Sequence, residues 1–558
     1  MAGVYDAAMR TIPALAIVVA ACSAAPTAAP PSTRLSPIEH LARASLALRG
    51  VRPSLAELHL VTANPSILPG VVDRYLESPE FAATIRELHD AVLLLHPQLT
   101  NFTPPPVPPL EAISFSEMNR SIYDEPLRLI EDIVMTDQPY TRIVTAGYTM
   151  ADATVATVWG MAHSDRPGWE RSHWDDDRGA AGILASTAFY LRYRSTAFNY
   201  NRARANAISR SLLCHDFSDS DIRIDTSVDL SNPAVVADAV VNNPSCAGCH
   251  QALDPLASYF FSFAQGTMTG VAMYPTNFYH PADAGAWAAT SGRQPGYFGT
   301  QPSGLAGLGK AIAADPRFAR CAAIHFASYL TEQPERELDP AWIARLQRRL
   351  VDSGFSAKQL ARAVVLSDEF RVASDPDPVA AERVVGYQKL RPQQFERMIT
   401  ALTGFTWEAD SDATINGWPF GHVDYLDDDY LGYRVLAGGI DSWFVTEPTH
   451  TMSATASLVT RNVARRAAGF VVDHDAAAPP RERRLFTRAA VDDTDPEHVR
   501  AELAELHARI YSEVAADDDA LDATEALYDD ALAVSGDPRW AWTVTLTGML
   551  GDLRAIYY

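Results

Sequence analysis

Cysteine is scarce. The chain holds Cys22, Cys214, Cys246, Cys249 and Cys321 in 558 residues, too few for a disulfide scaffold. Long apolar runs are nearly absent: the run from Ile12 to Ala21 is too short to cross a bilayer, which argues against a polytopic membrane protein. Lysine is sparse and no window is dense in Lys or Arg. With 46 basic against 69 acidic residues and a net charge of −23, nucleic-acid phosphates would be repelled, which argues against a nucleic-acid partner. The sequence has no dinucleotide fingerprint, no phosphate-binding Walker loop and no Gly-x-Ser-x-Gly elbow. Alternating β-branched segments are hard to find, and no short-period repeat is present.

What remains is a folded composition, 47% hydrophobic and 9% aromatic, long enough for several domains. The acidic excess serves solubility. Helix signals recur. Ser36-Pro37-Ile38-Glu39 is a capping box with proline at the first helical position, and Arg49-Gly50 stops the helix it starts. Ser54-Leu55-Ala56-Glu57 repeats the box, and Ser78-Pro79 opens a helix carrying Ile85, Leu88 and Val92. The fold class expected is mainly α. Pro104 to Pro109, the polar stretch Phe217 to Pro233, Ser374 to Pro378 and Asp473 to Arg484 read as connections.

The first 35 residues read as an address. The apolar run ends in Val19-Ala20-Ala21-Cys22, which resembles the lipobox of bacterial lipoproteins and makes Cys22 the lipidated residue; an ordinary cleaved signal is the alternative. The Ala/Pro-rich stretch after it is a tether. Asp6 spoils the expected basic start, and a start at Met9 would restore it through Arg10. The expected location is therefore outside the cytoplasm, with a lipid as the only membrane contact.

The sharpest signal is Cys246-Ala247-Gly248-Cys249-His250, the spacing of a covalent heme c attachment site. Two thiols one helical turn apart can add to the two vinyl groups of one porphyrin, and the adjacent imidazole of His250 is then the proximal iron ligand. About 0.001 such matches are expected by chance from this composition. A redox Cys-x-x-Cys would need a βαβ setting, and a zinc site a second ligand pair; neither is evident. Asn232 and Pro233 start a helix before the motif. Tyr259, Phe260, Phe261 and Phe263 follow it, either against the porphyrin or in a plain core. For the sixth ligand, Met268 is the first candidate, with Met273, His280 and His325 behind it and an open site as the alternative. Once Cys22, Cys246 and Cys249 are assigned, Cys214 and Cys321 remain, either as a disulfide or as two buried thiols.

Several short segments carry a resemblance. Tyr140 to Thr149, Gly179 to Leu184 with Arg202 to Ala205, Cys246 to Leu256 including Asp254-Pro255-Leu256, Phe318 to Cys321, Ser353 to Phe355 and Ser367 to Arg371 are similar to the planctomycete-type cytochrome c family. Leu436 to Ser442, Val445 to Pro448 and Tyr557-Tyr558 resemble a related block. These are exported bacterial proteins with flanking domains of unknown function. The resemblance implies a helical, exported, single-heme protein with an electron-transfer or surface role, and supplies no substrate. Ala257-Ser258-Tyr259-Phe260 departs from the family, where a glycine and an acidic-aromatic run are usual.

The expected layout is a signal and tether over 1–35, a helical domain over 36–230, a small c-type cytochrome-like segment with its following helices over 231–375, and a C-terminal helical domain over 376–558. The expected function is single-electron transfer by a lipid-anchored monoheme protein with an unidentified redox partner. The alternative is a non-redox surface lipoprotein with Cys246 and Cys249 as a structural disulfide. A third reading, an enzyme whose heme serves a neighbouring site, has no sequence feature naming its substrate. The loop with His163, Asp165, His173, Asp175, Asp176 and Asp177 reads as solvated before it reads as a metal site. The Asp427 to Asp429 and Asp517 to Asp519 runs lack calcium-loop spacing.

Overall fold

The computed structural model describes residues 32–96, 108–164, 166–195, 200–219, 225–263, 278–285, 288, 293–376, 385–415, 418–427 and 431–558. Its described residues form 21 helices and a few short strands, so the protein is mainly α.

The N-terminal helices begin where their caps dictate. Helix α1 (Pro37–Arg49) and α2 (Leu55–Ala63) each start at a serine whose hydroxyl accepts the third backbone N–H of the helix, while Glu39 or Glu57 reaches back to the serine's own N–H. After α3 (Leu68–Tyr75), Ser78 caps α4 (Pro79–Leu93) in the same manner without the return bond. Helix α5 (Phe115–Met135) is the central rod: Met118, Ile122, Leu129, Ile130 and Ile133 are fully enclosed. Glu125 is buried on the same helix, where the hydroxyls of Thr149 and Ser186 donate to it and burial lifts its carboxyl to about 7.

Next come α6 (Ala153–Trp159), α7 (Thr187–Arg192), α8 (Arg202–Leu213), α9 (Pro233–Asn242) and α10 (Pro244–Ser258). Helices α11 (Gly304–Ala314), α12 (Pro316–Thr331), α13 (Pro340–Asp352) and α14 (Ala357–Val365) complete one hydrophobic core that runs from Leu41 to Phe370. The expected helical domain and the expected cytochrome-like segment thus share a single core.

A second core takes Leu46 from α1 and otherwise runs from Leu390 to Tyr558. It is built from α15 (Pro392–Thr403), the short α16 (Tyr433–Leu436), α17 (Ala454–Ala477), α18 (Pro496–Tyr511), α19 (Asp518–Ser535), α20 (Pro538–Leu550) and α21 (Leu553–Ile556). Buried ion pairs stitch the cores together. Arg391 donates to Glu332 at 2.6 Å, His450 lies 2.9 Å from the same carboxylate, and Arg397 pairs with Glu87. Burial pushes Glu332 up, and the Arg391 charge with the hydrogen bonds from His450 and Arg391 outweighs it and holds it below the usual carboxylate range.

The strands are minor and antiparallel. β1 (Thr33–Arg34) pairs with β4 (Val372–Ser374), β2 (Thr149–Ala151) with β3 (Glu170–Ser172), and β5 (Glu408–Ile415) with β6 (Trp418–Asp424).

Candidate functional site

Cys246, Cys249 and His250 lie in the first half of α10. Asn243 caps this helix through its side-chain oxygen, and Pro244 supplies the fixed φ of its first turn. Both thiols are half-buried and neither is in a disulfide. The alternative disulfide between Cys246 and Cys249 is not formed in this structure.

His250 is aimed by its neighbours. Its Nδ1 lies 2.9 Å from Oδ1 of Asp254, one turn further along α10. Asp254 is enclosed, with its side chain 1% exposed, and accepts both Nε (2.7 Å) and Nη2 (3.1 Å) of Arg202 at the start of α8. Burial pushes the Asp254 carboxyl up, but the hydrogen bonds from His250 and Arg202 and the Arg202 charge win and hold it below the usual carboxylate range. An acceptor this firmly ionised keeps the proton on Nδ1. Nε2 then carries the lone pair and has no hydrogen-bond partner among the described residues, which is how metal-binding histidines are oriented.

The rest of α10 is pinned. Pro255 has no N–H to give, and its carbonyl accepts Gly296 N at 3.0 Å. A Cβ on Gly296 would stand 3.1 Å from Cβ of Pro255, a tight contact that the glycine avoids. The Ser258 hydroxyl donates to the Asp254 carbonyl at 2.9 Å, and the Tyr259 hydroxyl to the Pro302 carbonyl at 2.6 Å. Tyr259, Phe260 and Phe263 are buried, and Phe263 stacks on Tyr190 at 3.8 Å between centroids, so these aromatics belong to the core.

On the other side the packing is open. Helix α9 lies against α10 and buries only Ala239, leaving Val235 and Val241 in solvent, with Leu230 exposed just before it. Cys249 Sγ lies 3.7 Å from the Phe217 carbonyl, and the uncovered valines leave an apolar surface on the helix preceding the motif. The three ligand atoms of Cys246, Cys249 and His250 do not come within 4.8 Å of one another, so they do not converge on one ion. That suits attachment at two porphyrin positions with the imidazole acting separately, and does not suit zinc.

The remaining candidates fall elsewhere. Cys22, Met268 and Met273 lie outside the described residues. His280 is exposed, with its backbone N–H on the Ser262 carbonyl. Cys214 and Cys321 form a disulfide between the end of α8 and α12. His325 stands beside that bond, with Nε2 3.2 Å from Cys321 Sγ and Nδ1 2.7 Å from Glu335. In the acidic loop, His173 Nδ1 is 2.8 Å from the Gly147 carbonyl and Asp176 pairs with Arg178. Among the described residues, Cys214, Cys321 and His325 are the group whose ligand atoms are close enough to share an ion. Arg202 enters the sequence reading only through the family resemblance, its partner Asp254 lying 52 positions away, and Glu335 does not enter it. Asp254 had a local signal, standing one helical turn after His250.

Residues 298–370 match a family described only as a protein of unknown function (DUF1585). The match runs from just before α11 to just after α14 and includes Cys321, His325 and Glu335. No curated protein and no solved structure matches the chain. Among the described residues, no helix is long and apolar enough to cross a membrane.

Proposed function

We propose that this chain is a monoheme c-type protein that passes single electrons, exported and held at a bacterial membrane by a lipid on Cys22. Cys246 and Cys249 carry the porphyrin through two thioether bonds, and His250 is the proximal ligand through Nε2. When bound, the heme supplies a one-electron iron couple whose potential depends on its axial ligands and exposure. The chain does the positioning. Asp254 keeps the proton on Nδ1, Arg202 keeps Asp254 charged, and α9 offers apolar surface to shield the ring from water. The observation that carries the reading is the Arg202–Asp254–His250 chain, centred on the buried Asp254 carboxylate and ending on the histidine of the Cys-x-x-Cys-His motif. The family matched over residues 298–370 occurs in cytochrome c-related bacterial proteins, and the wider planctomycete-type resemblance agrees with it.

The test is the mass of the peptide containing Cys246 and Cys249, from protein made in a host that matures c-type cytochromes. The reading expects a covalent porphyrin increment on that peptide, abolished when both cysteines become serine. An unmodified peptide from such a host would overturn it. Met268 is proposed as the sixth ligand. Met268→Ala is expected to remove a thioether-ligand signature from the spectrum without removing the covalent group.

A further inference from the structure

The second cysteine pair carries chemistry that the heme reading does not use. Cys321 and His325 stand four residues apart on α12 and so share a face. Cys214 ends α8 in the left-handed conformation, φ 48°, which delivers its sulfur across to that face. Nε2 of His325 lies 3.2 Å from Cys321 Sγ and 3.8 Å from Cys214 Sγ. Two sulfurs about 2.3 Å and one nitrogen about 2.0 Å from a tetrahedral zinc stand roughly 3.5–3.8 Å apart. The nitrogen–sulfur distances already bracket that spacing; only the bonded sulfurs must part. Behind the ring, Glu335 sits 2.7 Å from Nδ1 and aims Nε2 at the sulfurs, the carboxylate–histidine arrangement of zinc sites. In the closed state Nε2 donates to the Ser211 carbonyl at 3.1 Å; metal binding displaces that proton, and the carbonyl is then an oxygen within reach of a fourth position.

We infer that Cys214, Cys321 and His325 form a thiol-gated site for one thiophilic divalent cation, zinc first among them. The disulfide is the closed state. An external dithiol attacks the half-buried Cys214 sulfur, and the enclosed Cys321 sulfur leaves. The dithiol's second thiol completes the exchange: the dithiol becomes a disulfide, the Cys214–Cys321 bond is broken, and two electrons come to rest on the two sulfurs. Zinc then binds both as thiolates with the Nε2 lone pair, and the two thiol protons and the displaced Nε2 proton pass to solvent. This inference does not depend on the heme, because none of its residues belongs to the attachment motif.

The experiment uses the full chain with Cys22, Cys246 and Cys249 replaced by serine, so that no other thiol and no covalent heme can contribute. Zinc is titrated against a chromogenic chelator, before and after reduction by a phosphine, with helical circular dichroism recorded alongside. The expected result is one zinc per reduced chain and none per oxidised chain. Replacing zinc with cobalt should give a thiolate-to-metal charge-transfer band. His325→Ala retains the disulfide, so its fold is checked before reduction, and it should weaken binding at least tenfold. Glu335→Gln should weaken it about tenfold. The proposal falls if the reduced, still helical chain takes up no zinc. It falls equally if His325→Ala binds zinc as tightly as its parent, or if reduction alone abolishes the helical signal.

Discussion

The molecule contains two Cys–Cys–His groups, each with a carboxylate behind the histidine. In one, Cys246, Cys249 and His250 share the first turns of α10, the sulfurs are unbridged, and Asp254 on the same helix takes Nδ1. In the other, the cysteines are 107 residues apart and bonded, and Glu335 beyond the end of α12 takes Nδ1 of His325. The parts are alike and the placement differs. On one helix, the two sulfurs stand one turn apart and unbridged. Between two helices, packing brings the sulfurs into bonding range and places the imidazole against them. Similar ligand sets therefore suit different groups, according to whether local spacing or tertiary packing sets the distances.

The largest effect that would separate the two groups is on colour. Serine at Cys246 and Cys249 should remove all covalent heme, whereas serine at Cys214 and Cys321 should leave the attachment chemistry intact in whatever fraction folds. Absorbance of the purified proteins reads this directly.

Stability should invert the ranking. Losing the Cys214–Cys321 crosslink, which closes a separation of 107 residues, should cost about 4 kcal/mol in chemical denaturation. Cys246→Ser in heme-free protein should stay within about 0.5 kcal/mol, since the side chain is half-exposed and unbridged. Equal losses at the two sites would break the comparison.

Next in size is Asp254→Asn. It leaves Arg202 without its buried partner and should cost about 3 kcal/mol, the low end for a buried pair because the Arg202 side chain keeps 20% exposure. In loaded protein it should also alter the axial-ligand spectrum with both thioethers intact.

The pH dependence sharpens the contrast further. The Asp254 pKa is depressed in the fold, so its stabilisation is present above the unfolded value and lost as pH falls through the folded one. Asp254→Asn should flatten the acid limb of the stability curve. Glu335 is also depressed, by the hydrogen bond to and charge of His325 acting against burial, but its side chain is 49% exposed. Glu335→Gln should flatten the same limb much less. Glu125 has the opposite sign. Burial lifts it to about 7, so the fold holds a proton that the unfolded chain has lost, and stability falls as pH rises from the unfolded value to about 7. Glu125→Gln should remove that decline, measured by denaturant midpoints between pH 5 and 8.

Local signals were readable in the sequence. Ser36, Ser54 and Ser78 name the helices they cap, because a capping bond involves residues within one turn. The Cys-x-x-Cys-His motif and Asp254 also lie close together, on one helix. Arg202 was not readable as a partner: it reaches Asp254 across 52 positions, and only the packing of α8 on α10 brings them together. The same holds for His325, which sequence offered as an iron ligand and which the fold places against the disulfide. The β5–β6 hairpin has Asp, Ala, Gly and Pro where alternating β-branched residues would announce a strand. Its pairing beside α5 is a tertiary choice. The shared core from Leu41 to Phe370 was likewise invisible, since linker-like stretches mark surface loops without saying whether the cores on either side are separate.

The most direct measurement is a pyridine hemochrome spectrum of the mature protein, made with working cytochrome-maturation machinery, beside its Cys246→Ser variant. The account predicts one c-type heme per chain, with a spectrum shifted toward that of a single thioether, or lost, in the variant. A colourless parent protein, or colour that organic extraction removes, would contradict it.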